Sequence, residues 1–294
     1  MRNSMNTVWS SQIQGVKTLY YSRKLRFDDA FAQQYKALFN LDEHKKLKIL
    51  EIGCGPGALA GALHRWFPNA EITAIDRDKE FIRFAKEHEQ GITFMEADAT
   101  SLPFANESFD VTISNTVSEH IEPSAFYGEQ RRVLKNNGVC IVLSSRKGIC
   151  VTAPCLAESE AERAFWTKAA KFDDSFEKFS IGKYAVNEAE LPLSMEKQGF
   201  SSLSTGFVCI PLTPDNLNCS KTMALSIIEA EKYGALEAVE SVLNSMPKHF
   251  TNAEVEEMKE IVCKKFDNRI RDYFAGKKYW DTSLSVIMIA RGVK

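Results

Sequence analysis

One stretch constrains this chain more than any other. The apolar run Leu47 to Ile52 stops at Gly53, and Gly53-Cys54-Gly55-Pro56-Gly57 leads into Ala58, Leu59, Ala60, Ala62 and Leu63. A short apolar run ended by glycines reads as a buried strand and a tight turn, and the Ala/Leu-rich sequel favours a helix. The pattern returns: strands are expected at Glu71 to Ile75, Gly91 to Met95, Phe109 to Ser114 and Val139 to Leu143. Between them lie a helix with Phe81, Ile82, Phe84 and Ala85 on one side and another over Ala125 to Leu134, with a turn at Asn136-Asn137-Gly138. Strand and helix alternating at this spacing mean parallel βαβ units with right-handed crossovers, hence an α/β fold with a doubly wound sheet. In such sheets ligands sit outside the carboxyl ends of the strands, so the residues just after each strand are the ones to weigh.

Beyond Leu143 the rhythm changes. The stretch from Arg146 to Val186 is irregular apart from a helix expected over Ala157 to Phe172, and Glu188 to Gln198 ends at Gly199, a C-terminal helix signal. Strands are expected at Ser204 to Ile210 and Ser283 to Ala290, which brings the sheet to seven. Between these two, Lys221 to Met246 and Ala253 to Phe274 both carry helical periodicity. The expected organisation is an N-terminal helical segment over 1–45, an α/β core over 46–210, a helical cap inserted over 211–280, and a terminal core strand over 281–294. The alternative for the insertion is a helical pair packed on the flank.

Composition narrows the partners. A net charge of −2 gives no basic excess of the kind nucleic-acid binders carry, so no nucleic-acid partner is expected. The basic group Lys17, Arg23, Lys24 and Arg26 reads as a solvated helix face. Seven scattered cysteines, an odd number without a CxxC pair, argue for reduced thiols and against a structural zinc or other metal site. No apolar leader or bilayer-length run occurs, so a cytoplasmic protein without stable membrane insertion is expected.

Glycines at Gly53, Gly55 and Gly57 let a backbone approach a ligand closely, and the following helix presents free N–H groups towards it. Gly53-x-Gly55-x-x-Ala58 also satisfies a relaxed dinucleotide fingerprint, and Asp76 after the second strand suits ribose hydroxyls in either case. These features indicate a nucleoside cofactor without identifying it. Asp98, after the third strand, places a carboxylate where an adenine amino group donates, and Ser114-Asn115-Thr116-Val117-Ser118-Glu119-His120-Ile121 leaves the fourth.

Taken in order, Ile49-Leu50-Glu51-Ile52-Gly53-Cys54-Gly55-Pro56-Gly57, Asp76, Asp98-Ala99, Phe109-Asp110-Val111, Glu119-His120-Ile121 and Arg132-Val133-Leu134-Lys135-x-x-Gly138 resemble the class I S-adenosylmethionine-dependent methyltransferase core. The chain is similar to the branch that includes the ubiquinone/menaquinone-biosynthesis C-methyltransferases. The match runs from about Leu47 to Ser145; it departs at Asn136-Asn137, where the family usually shows a proline before the glycine, a turn remote from the ligand edge. The resemblance implies a Rossmann-like seven-stranded sheet, the cofactor S-adenosyl-L-methionine and the product S-adenosyl-L-homocysteine. It further implies that Glu51 serves the methionine end of the cofactor, with Gly53, Gly55 and Gly57 lining its backbone approach. Asp76 would accept from both ribose hydroxyls, with Arg77 beside the adenine. Asp98 and Ala99 would hold the adenine edge, and Asn115 would contact the methionine moiety.

The N-terminal segment is expected to close over the cofactor, with Tyr20 or Tyr21 and Arg23 approaching its carboxylate or the acceptor. Methyl transfer from a sulfonium is an in-line displacement with a neutral leaving group, so orientation and exclusion of water dominate. If the acceptor loses a proton, His120 is the candidate general base and Glu119 the next; the bland alternative is that both only orient the helix beginning at Glu122-Pro123. The acceptor is expected to be a small molecule, apolar or aromatic, since Phe165, Trp166, Phe172, Phe176, Phe179 and Tyr184 cluster after the fifth strand. Two competing readings are a nicotinamide-dependent oxidoreductase and a non-catalytic binding protein of the same fold. A nucleic-acid methyltransferase is disfavoured, because no Asn-Pro-Pro-Tyr or Asp-Pro-Pro-Tyr follows the fourth strand.

Overall fold

The computed structural model describes residues 9–145, 151–153, 158–172 and 181–294. Five parallel strands lead: β1 (Lys48–Ile52), β2 (Glu71–Asp76), β3 (Thr93–Glu96), β4 (Phe109–Asn115) and β5 (Leu134–Ser145). The last long strand, β8 (Thr282–Val293), runs antiparallel to β5 on one side and to β7 (Ser201–Leu212) on the other. A short strand, β6 (Val151–Ala153), pairs with the first residues of β8, so the sheet has eight strands among the described residues rather than seven. β6 only extends β5's side of β8, and the order 3-2-1-4-5-8-7 keeps β1 and β4 adjacent at the centre, where the strand order reverses.

Helices α1 (Val16–Arg26), α2 (Ala32–Phe39), α3 (Ala58–Trp66), α4 (Lys79–His88) and α5 (Pro123–Val133) accompany these strands. Local chemistry sets their starts. Asp78 caps α4 by accepting from the Glu80 amide at 3.0 Å, and Glu122 caps α5 with Pro123 in its first turn. Alternate strand residues feed opposite faces. Ile49, Val111 and Ile141 enter one core with Tyr35, Phe39 and α3, while Leu50, Cys140 and Val142 enter the other with Phe126 and Tyr127 of α5. The turn expected at Asn136-Asn137-Gly138 is an irregularity inside β5: Asn137 takes φ 63°, and the register jumps from Leu134 opposite Phe109 to Val139 opposite Val111.

The second half contains α6 (Glu160–Ala169), α7 (Glu190–Lys197), α8 (Lys221–Ser245) and α9 (Asn252–Phe274). α6 is shorter than expected; Ala157, the first residue assigned to it from sequence, lies outside the described residues. α8 and α9 fall between β7 and β8 and share with α6 a core of their own, including Phe165, Ile228, Val239, Met258 and Phe266. Arg269, buried, ties both ends of this insertion together: it donates to Asp215 at 2.8 Å in the loop after β7 and to Asp281 at 2.7 Å just before β8. Among the described residues no helix is long and apolar enough to cross a membrane.

Candidate functional site

The carboxyl ends of β1, β2 and β4 open into one cavity of about 1840 Å³, whose walls also draw on α1, α6, α8 and residues 181–188. Of the residues picked from sequence, Glu51, Gly53, Gly55, Asp76, Arg77, Asp98, Ala99, Asn115, Glu119, His120 and Arg23 line it. Gly57 and Tyr21 are not among the lining residues.

Gly53 has φ 69°, and a Cβ there would stand 2.4 Å from Val117 Cγ2, so the turn after β1 packs against the segment after β4 only with glycine. Gly57 serves packing instead. It precedes α3 at φ 91°, and its missing Cβ lets the helix settle against Ala85, 3.0 Å from that position, and Phe94. The sequence signature of a glycine loop does not distinguish these two uses.

Two carboxyl groups flank the loop. Glu51 is 1% exposed; burial first, then nearby Asp76, push its pKa well up. Its Oε2 has no hydrogen-bond partner among the described residues. Asp76 accepts from the amides of Gly55 and Asp78, both at 2.8 Å, yet burial still raises it to about 6. Asp98 is exposed and its Oδ1 is occupied by a local turn, accepting from the Thr100 amide at 2.8 Å and hydroxyl at 2.7 Å; Oδ2 has no part in that turn. Arg77 is exposed at the rim.

At the end of β4 the Asn115 Oδ1 is buried without a partner among the described residues. Thr116 then adopts φ 54°, a strained conformation for a β-branched residue. Its amide donates to Leu143 O at 2.8 Å, and its hydroxyl accepts from Arg23 Nη2 at 2.7 Å. Arg23 comes from α1 and was read from sequence as part of a solvated face. Its Nη1 is instead buried without a described partner, and burial lowers its pKa to about 9. Arg26 lines the same cavity, while Lys24 stays exposed. Tyr21 points elsewhere: it is 39% exposed and stacks on Tyr233 of α8, centroids 5.8 Å apart. Tyr20 is buried and donates to Glu89 at 2.7 Å.

His120 sits in a short helical turn, Ser118–His120. The Gly182 amide donates to its Nδ1 at 3.0 Å. That amide fixes the tautomer: Nδ1 is the acceptor, so the neutral ring carries its proton on Nε2. Burial, then Arg77, lower its pKa to about 4. The Trp9 ring meets it edge-on at 4.8 Å. The Tyr184 amide donates to the Glu119 carbonyl at 2.9 Å, so residues 182–184 are laced to this turn. Sequence reasoning missed Thr116, Trp9 and the Gly182 contact. Positive φ at a threonine has no sequence signature, and Gly182 lies 62 residues from its partner.

Of the expected aromatic cluster, Trp166 and Tyr184 line the cavity. Phe165 is buried against Phe250, and Phe172 stacks on His249. Phe176 and Phe179 lie outside the described residues.

The polar atoms left over are chemically specific. Glu51 Oε2 and Asn115 Oδ1 are acceptors, on or just after the central strands, and Arg23 Nη1 is a donor reaching the same corner through Thr116. Acceptors and a cationic donor together suit a ligand end that bears both ammonium and carboxylate, while Asp76 suits a diol.

Residues 50–142 match the family model described as a methyltransferase domain. A fatty-acid O-methyltransferase of Mycolicibacterium smegmatis is 34% identical over 103 residues, 34% of this chain and 37% of the relative. The ubiquinone/menaquinone biosynthesis C-methyltransferase of Desulfotalea psychrophila is 33% identical over 101 residues, 33% of this chain and 41% of the relative. The chain thus spans less than half the length of the relatives it matches. Among solved structures, phosphoethanolamine N-methyltransferase 2 of Haemonchus contortus, in complex with S-adenosyl-L-methionine, shares the fold at a TM-score of 0.51 and 15% identity, over 97% of this chain and 59% of that one. Residues 50–142, which hold the glycine loop and the strand ends at the cavity, are thus similar to methyltransferase domains.

Proposed function

We propose that this chain transfers a methyl group from S-adenosylmethionine to a small-molecule acceptor with an apolar or aromatic body. The observation that carries the reading is the trio of unpaired polar atoms, Glu51 Oε2, Asn115 Oδ1 and Arg23 Nη1, at the carboxyl ends of the central strands. Glu51 and Asn115 hold the ammonium of the cofactor's methionine end, Arg23 its carboxylate, Asp76 the ribose hydroxyls, and Asp98 with Ala99 the adenine edge. When bound, the cofactor supplies a methyl group on a cationic sulfur that departs as a neutral thioether. A carboxyl buried directly behind the glycine loop suits that cation and opposes the pyrophosphate of a nicotinamide dinucleotide.

The residues around the reacting centre orient and dry it, which is where most of the acceleration of such a displacement arises. Within the N-terminal segment α1 closes over the cofactor, and the insertion 211–280 caps the acceptor. His120 offers the acceptor an Nε2–H donor, because its basic lone pair on Nδ1 is engaged by Gly182. Glu119, beside it on the cavity, takes the general-base role if the acceptor must lose a proton. Free Cys54, Cys140, Cys209, Cys219 and Cys263 fit a reducing, cytoplasmic setting.

Thermal unfolding with S-adenosylmethionine, S-adenosylhomocysteine and NAD⁺ tests the reading. At a hundredfold excess over Kd, a ligand adds about 2.7 kcal/mol, a rise in Tm of roughly 5–11 °C at this size. The rise is expected with the two sulfur nucleosides alone; a rise with NAD⁺ alone overturns the assignment. Methyl transfer to extracted small molecules then separates an enzyme from a binding protein of the same fold.

A further inference from the structure

Large apolar side chains stand in solvent at one corner of the insertion: Leu217 is 93% exposed, Phe274 57% and Trp280 54%. The segments that carry them are pinned together. Asp215 Oδ2, buried, accepts from the amides of Tyr279 at 2.8 Å and Trp280 at 2.9 Å and from Arg269 Nη2 at 2.8 Å. Leu217 follows in a turn where Asn216 Oδ1 accepts from the Asn218 amide. Phe274 ends α9, and Lys221, the first residue of α8, places its Nζ 4.6 Å from that ring's centroid. The corner lies past Leu212 and ahead of Thr282, while Ser145 at the end of β5 registers opposite Ile287. It therefore projects beyond the carboxyl edge of the parallel strands, the edge that holds the cavity.

Trp280 is the telling residue. Its backbone takes φ 57°, a left-handed conformation that a β-carbon makes costly and glycine adopts freely. The ring is half exposed and the turn is held by the amide, so neither core packing nor the turn explains a tryptophan here. Strain held in place by a buried network, at a residue that presents an exposed ring, points to a role outside the fold. The charge around it is one-sided. Over residues 271–280 the cations are Arg271, Lys277 and Lys278, and the carboxylate is Asp272, which already accepts from Lys277 at 3.1 Å and from the Tyr279 hydroxyl. Asp215 and Asp281 turn inwards to Arg269. Lys278 Nζ sits 5.3 Å from the Trp280 centroid and Lys277 Nζ 4.6 Å from that of Tyr279, so cations and rings interleave.

We infer that this corner docks on an anionic lipid surface, with Trp280, Phe274 and Leu217 in the headgroup boundary and Lys221, Arg271, Lys277 and Lys278 on the acidic headgroups. Tryptophan suits that boundary, having an apolar body and an N–H for the wet side, and lysines beside it meet anionic phosphates. Leu217, which offers nothing to a phosphodiester backbone or a base stack, favours lipid over nucleic acid. Each cation brought to the surface contributes about fivefold in affinity, and burial of the Trp280 ring roughly 10- to 100-fold. Val286, on the cavity wall, follows Trp280 by no more than about 20 Å of extended chain, so docking holds the cavity close to the bilayer.

The test is co-sedimentation of the whole chain with vesicles of phosphatidylcholine and of an equimolar phosphatidylcholine–phosphatidylglycerol mixture, at rising salt. Binding to the mixed vesicles alone is expected, weakening as salt screens the cations. Trp280→Gly relaxes the backbone, so its Tm should match or exceed the parent's while vesicle affinity falls roughly 10- to 100-fold. Lys277→Gln combined with Lys278→Gln, both exposed, should lose about 25-fold and unfold as the parent does. Equal binding to both vesicles, binding to neither, or parental affinity in both variants would each overturn the inference. So would tighter binding to a DNA duplex than to the mixed vesicles, which would assign the patch to nucleic acid, or a dimer lost in Trp280→Gly, which would assign it to a second copy of the chain.

Discussion

Asp76→Asn separates the functional demand on the site from its effect on stability. In the folded chain Asp76 holds its proton to about pH 6 because burial opposes its charge; in the unfolded chain it ionises near its ordinary value of 3.8. Native protein therefore binds more protons between these two values, and stability falls as pH rises through that window. The effect is absent below about pH 4 and complete above about pH 6, and at ~1.36 kcal/mol per pH unit it amounts to about 3 kcal/mol. Asparagine removes it. The substitution also leaves one of the two amides that Asp76 accepts, Gly55 or Asp78, without its oxygen, a pH-independent loss of roughly 1–3 kcal/mol. The variant should accordingly be less stable than the parent at pH 4 and as stable or more stable at pH 7.5. Urea denaturation across that range measures the difference directly, and a change of about 3 kcal/mol between its ends is expected whatever the constant loss. S-adenosylmethionine affinity should drop roughly 10- to 100-fold, since a charged acceptor for ribose hydroxyls is gone. Parallel stability curves for parent and variant would refute the argument that burial governs this carboxyl.

Three further outcomes are expected. With Nδ1 engaged and the ring held neutral down to about pH 4, His120→Ala should lower turnover without altering the shape of the rate profile between pH 6 and 8; a parent inflection near neutrality that disappears in the variant would restore His120 as the base. Arg23→Met should weaken S-adenosylmethionine by roughly 10- to 100-fold and leave adenosine, which lacks the amino-acid end, unaffected in calorimetry; equal losses for both ligands would mean that Arg23 only props up Thr116. Arg269→Met strands the buried carboxylates of Asp215 and Asp281 and should cost about 3–5 kcal/mol, a fall in Tm of roughly 6–20 °C, largely recovered when both aspartates are also made asparagine.

How much of this was legible depended on the range of the interaction. β1 to β4 and the residues at their ends follow from local pattern: an apolar run, a glycine or an acid, then a helix. That places Glu51, Gly53, Asp76 and Asn115 on one edge before any coordinates. Gly57 shows the limit, since only the neighbours Ala85 and Phe94 reveal that it packs inwards. Tyr21 and Arg23 show another. Two residues apart on α1, they face different ways, and the phase is set by where the helix docks: Tyr21 on Tyr233, Arg23 on Thr116. Trp166 and Phe165 are adjacent and both pack in the insertion's core, yet of the two only Trp166 also lines the cavity. Aromatic density in a sequence reports burial without saying whether protein or ligand covers the ring.

The docking of α1 touches both ends of the cavity. Leu19 lies 3.3 Å from where a Gly55 side chain would begin, so the helix rests on the glycine loop. The Gly15 amide, just ahead of α1, donates to Glu237 of α8, and Tyr21 stacks on the same helix. A single short helix thus bears on the cofactor loop on one side and on the insertion on the other. Swinging it out to admit a ligand breaks the Arg23–Thr116 bond and leaves Thr116 in its left-handed conformation without that partner. Strain of this kind persists only where the surroundings hold it, so an open α1 and a relaxed Thr116 go together. In the proposed complex a ligand carboxylate that pairs with Arg23 Nη1 holds α1 in this docked arrangement. The function proposed above therefore predicts that cofactor binding and acceptor enclosure are coupled through α1, by way of a contact between residues 93 positions apart.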